Sequence, residues 1–211
     1  MISHKPKNWS LFMKTMMIIS IIMSGLIALS VQAEIKTDWS KLKAKKQTTL
    51  GLYMTPNEAY KFMEDNDDKA TFIDVRSRAE VNFLGMPTVA NANVPYMKLA
   101  EWYSWNAKKH NFNMELNSEF AVNVESRVKE RGLNKNDPII LICRSGSRSS
   151  KAANLLASLG YTKVYSIPEG YEGDKSKATA TKGQRIVNGW KNAGLPWSYN
   201  LMVSKMYDVH E

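Results

Sequence analysis

The run Ile139-Ile140-Leu141-Ile142 constrains the fold of this 211-residue chain more than any other segment. It consists of four large aliphatic residues, three of them β-branched, and it follows the turn-forming pair Asp137-Pro138. A short aliphatic run of this kind is typical of a strand that is buried on both faces in a parallel sheet. We therefore expect residues 139–142 to form the central strand of the protein.

Strand-like and helical patterns alternate around this central run. Thr55-Pro56-Asn57-Glu58 combines a capping threonine, a proline at the first helical position and a glutamate that can bond back to the cap, which predicts a helix start. Further helices are predicted at residues 118–131 and 149–159, and further strands at residues 71–75, 92–95 and 164–167. This alternation predicts an α/β domain with a central, mainly parallel sheet and right-handed crossovers.

The N-terminus has the composition of a secretory signal peptide. Lys5, Lys7 and Lys14 precede the apolar residues 16–29, and small residues lead up to Ala33. The apolar run is shorter than the roughly 20 residues that a membrane-spanning helix needs, although an uncleaved anchor is the alternative. We expect residues 1–33 to be removed after Ala33, so that the protein is periplasmic or secreted and meets the membrane only transiently.

The remaining chain divides into three regions by composition. Residues 34–49 form a polar, lysine-rich N-terminal arm, residues 50–200 the domain, and residues 201–211 a C-terminal tail. Two segments of the domain read as insertions, at about 96–117 and 171–187. The first carries Trp102, Tyr103 and Trp105, which we expect to form a small satellite core, with a docking surface as the alternative. The second reads as an exposed loop that could cover the site as a lid.

Charge and motif content exclude several functional classes. The formal net charge is +9, and residues 1–33 hold three lysines and no acidic residue, so the remainder carries +6. No basic-aromatic recognition motif accompanies this charge, so nucleic acid is not an expected partner. His4, His110 and His210 are too far apart to suggest a metal site, and no dinucleotide or phosphate-binding glycine pattern occurs. We expect neither a metal nor a cofactor.

Cys143, the single cysteine, directly follows the central strand and cannot form an internal disulfide. The loop Arg144-Ser145-Gly146-Ser147-Arg148-Ser149 comes next and runs into a predicted helix. Backbone N–H groups of such a loop, together with the helix N-terminus, can hold an anion and favour the thiolate form of the cysteine. The two arginines act in the same direction, which indicates a nucleophile; the alternative is an inert core thiol with surface arginines.

Residues 143–149 resemble the active-site loop of single-domain rhodaneses. Asp74-Val75-Arg76 with Glu80 is similar to another mark of this family, as are residues 167–173, a strand with a glycine turn, and residues 188–196, its closing helix. The resemblance covers residues 50–197 in the family's order. Met86 stands where the family usually has histidine, and Tyr171 stands where it usually has a second glycine. These two departures concern the rim of the pocket rather than the nucleophile.

This resemblance implies a rhodanese-like fold with helices on both faces of the sheet, and a sulfurtransferase activity without a cofactor. Cys143 would carry sulfur as a persulfide, and the N–H groups of residues 144–149 would stabilise it. Arg144 and Arg148 would bind the sulfonate end of an anionic donor such as thiosulfate. A thiophilic acceptor, such as cyanide, a thiol or a periplasmic protein, would remove the sulfur. Asp74, Arg76 and Glu80 would support the loop, the last two as an ion pair beneath it.

Two other functions fit the same loop. One is a persulfide carrier or thiol-redox module that binds a partner protein without turning over small donors. The other is a cysteine phosphatase or arsenate reductase, which also places a cysteine in an anion-binding loop. The second is disfavoured by spacing, because four residues separate Cys143 from Arg148, whereas phosphatase loops have five.

Overall fold

Residues 37–100, 102 and 104–208 are described in the structure, which is a computed structural model. The predicted signal peptide, the first three residues of the arm, Tyr103 and the last three residues of the tail lie outside this part of the chain. Within it, no helix combines the length and the apolar content required to cross a membrane.

The predicted helices and strands are present in the predicted order, together with several short strands that the sequence pattern does not predict. The helices are α1 (Pro56–Asn66), α2 (Arg78–Leu84), α3 (Phe120–Glu130) and α4 (Ser147–Ser158). The strands are β1 (Thr71–Asp74), β2 (Met86–Pro87), β3 (Ala92–Asn93), β4 (Met97–Leu99), β5 (Trp105–Asn106), β6 (Asn111–Phe112), β7 (Met114–Leu116), β8 (Ile139–Ile142), β9 (Val164–Ser166) and β10 (Trp197–Ser198). Short 3₁₀ turns occur at Trp39–Lys41, Ala44–Lys46, Asp67–Lys69, Thr179–Thr181 and Val203–Lys205.

The main sheet has four strands in the order β3-β1-β8-β9, and every neighbouring pair is parallel. Strand β8 lies between β1 and β9, which confirms the prediction that residues 139–142 are central. All four of its residues are buried, as expected for a strand covered on both faces.

Side chains of β8 alternate between two separate cores. Ile139 and Leu141 pack in one core with residues of α3 and α4, and Ile140 and Ile142 pack in the other with residues of α1 and α2. Successive residues of a strand point to opposite faces, so helices cover both faces of the sheet. The structure therefore confirms the predicted α/β class and the rhodanese-like arrangement of layers.

Two helices begin with the same local device. The Thr55 side chain accepts a hydrogen bond from the Glu58 N–H group and the Glu58 carboxylate accepts one from the Thr55 N–H group, which confirms the predicted start of α1. Ser77 and Glu80 form the same reciprocal box at α2. Such boxes stabilise a helix start by about 1 kcal/mol. At α2 the box also fixes the position of a carboxylate that reaches the candidate site.

The segment from Met97 to Leu116 forms two small antiparallel ribbons, β4 with β7 and β5 with β6. Trp102 is 93% exposed and Trp105 is 56% exposed. The expected satellite core is therefore wrong for these two residues. A two-stranded ribbon has no second layer of its own, so its aromatic side chains remain in contact with water.

Residues 188–196 form consecutive turns instead of the closing helix that the resemblance implies. Gly189 and Gly194 have φ values of 100° and 70°, which are incompatible with a continuous right-handed helix. Trp190 is fully buried between them and lies 5.5 Å from the Phe72 ring, centroid to centroid. The turns thus hold one large aromatic side chain in the core beside α1.

The N-terminal arm packs on the domain. The hydroxyl of Ser150, in α4, donates a 2.9 Å hydrogen bond to the carbonyl of Lys45. The side chain of Lys46 is buried, and its ammonium group donates to both carboxylate oxygens of Asp174 at 2.9 and 3.0 Å. The arm is therefore attached both to α4 and to the segment that was interpreted as the second insertion.

Candidate active site

Cys143 lies at the carboxyl end of β8, where the central strand meets the loop that leads into α4. Its side chain is buried, and Sγ accepts a hydrogen bond from the N–H group of Gly146 at 3.1 Å. Ligands bind at the carboxyl ends of strands in open α/β sheets. A backbone N–H group directed at sulfur can stabilise negative charge that develops there during a reaction.

Gly146 enables this turn. It has φ 89° and ψ −18°, a left-handed conformation that favours glycine, and it caps α4. A Cβ atom at this position would lie 2.1 Å from the carbonyl oxygen of Pro168. The loop after β8 is thus in direct backbone contact with the loop after β9.

A second backbone contact fixes the other side of the loop. The N–H groups of Tyr171 and Glu172 donate to the carbonyls of Cys143 and Arg144 at 2.7 and 3.0 Å. A Cβ atom on Gly170 would lie 2.5 Å from the nitrogen of Ser145. Both carbonyl oxygens therefore have partners outside the loop, while the Gly146 N–H group is left for the sulfur.

Arg148 is held by Glu80 in a two-pronged ion pair. Its two terminal nitrogens donate to the two carboxylate oxygens at 2.6 Å each, and both side chains are largely buried. Burial opposes ionisation of Glu80, but the bonds and charge of Arg148 outweigh it and lower the pKa of Glu80 to about 2. The same pairing, against burial, raises the pKa of Arg148. The Arg148 guanidinium is therefore held by Glu80, and its predicted binding of the donor stays a prediction.

Arg76 pairs with Asp74 and not with Glu80, so the predicted ion pair beneath the loop is wrong. Arg76 Nη2 lies 2.6 Å from Asp74 Oδ2, and both side chains are fully buried. Nη2 also donates to the carbonyl of Gly85 at 2.7 Å. Burial opposes the charge on Arg76, yet Asp74 outweighs it and raises the arginine pKa. Asp74 and Arg76 lie two positions apart at a strand end, where residues share a face.

Tyr171 packs against Arg76 beneath the loop. Its ring lies 3.7 Å from the Arg76 guanidinium carbon, and its hydroxyl donates to the Leu84 carbonyl at 2.9 Å. Burial raises the pKa of Tyr171, while the Arg76 charge opposes the increase. Tyr171 was expected at the pocket rim and at the start of an exposed insertion, but it is fully buried beneath the loop.

The other predicted loop residues have different surroundings. Arg144 is exposed, and it lines a cleft of about 540 Å³ together with Ser147 and the ribbon residue Phe112. Ser145 lines a separate cleft of about 910 Å³. The Ser149 hydroxyl is buried, where it donates to the carbonyl of Gly146 and accepts from the hydroxyl of Ser166. The Ser149 side chain therefore links the loop to β9.

Arg185 is a cation near the loop that the sequence analysis did not identify. Burial and the neighbouring charge of Arg144 lower its pKa, whereas Glu172, whose carboxylate lies 3.4 Å from Arg185 Nε, opposes that change. Arg185 is far from Cys143 in sequence, so no local spacing could have revealed it. Within the described ranges, no group of three or more His, Cys, Asp or Glu side chains is placed to hold a metal ion.

Comparison with known proteins identifies the family of this chain. The profile of the Rhodanese-like domain matches residues 55–177. An uncharacterized protein of Rickettsia conorii is 32% identical over 142 residues, which cover 67% of this chain and 93% of that protein. The crystal structure of Rv0390 from M. tuberculosis has a TM-score of 0.50 at 28% identity, covering 70% of this chain and 96% of that one.

One similarity is to a protein named for its activity. Thiosulfate sulfurtransferase GlpE of Tolumonas auensis is 46% identical over 41 residues, which cover 19% of this chain and 39% of that enzyme. This match is short, so it supports the relationship at the level of the family. From the profile match and the Rickettsia relative, the chain belongs to the rhodanese-like domain family, which includes sulfurtransferases.

Proposed function

We propose that this protein is a sulfurtransferase that moves a sulfane sulfur from a small anionic donor, such as thiosulfate, to a thiophilic acceptor through a persulfide on Cys143. The observation that carries the proposal is the position of Sγ at the end of the central strand, 3.1 Å from the Gly146 N–H group. Our interpretation of residues 1–33 as a signal peptide further places this chemistry outside the cytoplasm.

In the first half-reaction, the Cys143 thiolate attacks the outer sulfur of thiosulfate. The new bond joins Sγ to that sulfur, the sulfur–sulfur bond of thiosulfate breaks, and sulfite leaves with the electron pair. The Gly146 N–H group stabilises the negative charge at the reacting sulfur. Arg144, exposed beside the loop, is the cation that we assign to the sulfonate end, because Arg148 is paired with Glu80 and Arg185 with Glu172.

In the second half-reaction, the acceptor attacks the outer sulfur of the persulfide. With cyanide, a carbon–sulfur bond forms, thiocyanate leaves, and the electron pair of the persulfide bond returns to Sγ as thiolate. No net oxidant or reductant is required. The scheme requires only one cysteine. It is also consistent with a loop whose carbonyl groups accept hydrogen bonds from the N–H groups of residues 171 and 172.

The test is thiocyanate formation from thiosulfate and cyanide by the purified full-length protein. We expect turnover by the wild type and a loss of at least about a thousandfold in Cys143→Ser, since the hydroxyl cannot form a persulfide. A Ser158→Ala variant, at the exposed far end of α4, serves as the control and should keep most of the activity. If the folded wild type forms no thiocyanate, the sulfurtransferase proposal fails.

The same measurements separate the two alternatives. A persulfide carrier would release about one sulfite per Cys143 and then stop, whereas an enzyme continues through many turnovers. A phosphatase would hydrolyse a phenyl phosphate without any sulfur donor. The ion pair between Arg148 and Glu80 disfavours the phosphatase alternative, because the arginine that would hold the phosphoryl group is occupied.

A further inference from the structure

A second cleft adjoins the catalytic loop, between the N-terminal arm and the segment after Gly173. Its volume is about 910 Å³, and Ser145 of the loop forms part of its wall. The other lining side chains include six lysines and Arg185, against a single carboxylate, Asp174. The lysines come from both walls, three from the arm and three from the later segment.

The walls of this cleft are fixed by internal contacts. Lys46 is buried and bridges to Asp174 across the two segments at 2.9 Å, and Ser150 holds the backbone of the arm against α4. The later segment closes on itself, since the Ser176 N–H group donates to the Gln184 carbonyl at 2.7 Å. The two segments that carry the lysines are therefore held in defined positions on either side of the cleft.

The charge in the cleft is balanced only in part by the protein, since Glu172 pairs with Arg185 at 3.4 Å. Asp174 is occupied by Lys46, and none of the other five lysines has a carboxylate within 4.0 Å in the part of the chain that the structure describes. Like charges on opposing walls repel one another, and a cleft lined by one sign of charge concentrates the electrostatic potential. Such a cleft is complementary to a ligand with several negative charges.

The cleft is also connected to the nucleophile. Ser145 is two residues from Cys143, and Arg185 interacts electrostatically with both Arg144 and Cys143. Ligand pockets of several hundred Å³ suit molecules much larger than thiosulfate, which has only five heavy atoms. A donor of that size would leave most of the cleft empty, so the cleft fits the other substrate better.

We propose that this cleft binds the carboxylates of a peptide-sized thiol that accepts the sulfur from Cys143. The inference rests on the proposed function and names the class of its acceptor. The acceptor thiolate attacks the outer sulfur of the Cys143 persulfide, a new sulfur–sulfur bond forms on the acceptor, and Cys143 leaves as thiolate. The acceptor's carboxylates lie among the lysines while its thiol reaches past Ser145 to the loop.

The experiment compares glutathione, which has two carboxylates, with its diethyl ester, in which both are capped. Sulfite release from thiosulfate is measured as a function of thiol concentration. We expect the KM for glutathione to be lower than that for the ester by about tenfold. In the double variant Lys177→Glu/Lys182→Glu, the KM for glutathione should rise by a similar factor, and the KM for the ester should change little.

The matched control is Lys61→Glu/Lys163→Glu, which changes the net charge equally at exposed sites outside the cleft. It should leave both KM values within about twofold, since distant surface charges are screened. Equal KM values for glutathione and its ester would overturn the proposal. So would a cleft variant that raises only the KM for thiosulfate, because the cleft would then serve the donor. Failure of the sulfurtransferase proposal itself would appear separately, as a wild type without thiosulfate–cyanide activity.

Discussion

The two sides of the loop that follows Cys143 are built in opposite ways. Beneath it, Asp74, Arg76 and Tyr171 are fully buried, and Gly170 touches the loop backbone. Beside it, the two clefts are walled by the small ribbons of residues 97–116 and by exposed lysines. The structure beneath the loop depends on the close packing of individual side chains. The clefts beside it depend on the combined charge and surface of several exposed side chains.

This difference predicts that the two regions respond differently to substitution. Closely packed interiors respond to a change of one methyl group, because there is no free volume to absorb it. Exposed charges act additively and over longer distances, so each contributes little by itself. We therefore expect substitutions beneath the loop to affect folding and turnover together, and substitutions in the cleft walls to affect substrate preference alone.

The sharpest test of this difference is Gly170→Ala, with Gly132→Ala as its control. Both glycines have φ near 70°, but a Cβ on Gly170 would lie 2.5 Å from Ser145 nitrogen, whereas a Cβ on Gly132 would have nothing within 4 Å. Both variants incur the cost of a left-handed alanine, about 1 kcal/mol. We expect Gly170→Ala to lose about 3 kcal/mol or more in unfolding free energy, together with most of the activity.

Urea unfolding and the thiocyanate assay measure both effects. Gly132→Ala should keep near-normal turnover despite its small loss of stability. Equal behaviour of the two variants would show that backbone conformation, and not contact with the loop, sets the cost at Gly170.

A smaller effect is expected from Glu80→Gln, and it should depend on pH. The pKa of Glu80 in the folded protein is about 2, below its ordinary value of 4.5. The carboxylate therefore stabilises the fold fully above about pH 5, and this contribution is lost as the pH falls towards 2. At neutral pH we expect the variant to be less stable by about 2 to 3 kcal/mol.

The measurement is the difference in unfolding free energy between wild type and Glu80→Gln at pH 7 and near pH 2.5. The difference should shrink strongly at the lower pH. Glu130→Gln is the control, because Glu130 is more than half exposed in its ion pair with Arg127, and such pairs contribute little. A difference that does not change with pH would mean that Glu80 acts through the α2 cap and packing alone.

The smallest effect is expected in the ribbons. Trp105 is more than half exposed and makes an edge-to-face contact with Phe112, at 5.4 Å between centroids. Trp105→Ala should reduce the unfolding free energy by less than about 1 kcal/mol and change the KM for thiosulfate by less than about twofold. A large loss of stability would show that the ribbons contribute to folding as the buried region does, which contradicts the expected difference between the two regions.

Local sequence signals predicted the parts of the structure that depend on neighbouring residues. The aliphatic run of β8, the capping box at Thr55 and Glu58, and the glycine turn after Cys143 each rely on residues within a few positions. The order of strands and helices followed from their alternation. These features determine the fold and the location of Cys143.

Features that depend on distant residues were not predictable in the same way. Glu80 reaches Arg148 only because α2 packs beside the loop, so the expected partner, Arg76, was wrong. Arg185 lies near Arg144 although the two residues are far apart in the sequence. The pairing of Asp74 with Arg76 was within reach of sequence reasoning, since residues two apart at a strand end lie on the same side.

The backbone contacts at Gly146 and Gly170 have a consequence for protein engineering. The segment from Cys143 to Arg148 cannot be transferred by itself. Its backbone conformation depends on contacts with a second segment, from Pro168 to Glu172, that lies against it. If the cysteine loop alone were grafted onto another α/β scaffold, the carbonyl groups of Cys143 and Arg144 would lose their hydrogen-bond donors. The turn at Gly146 would lose the backbone that it packs against. A designer who wishes to move this chemistry must therefore graft both segments together, at the separation set by two adjacent parallel strands.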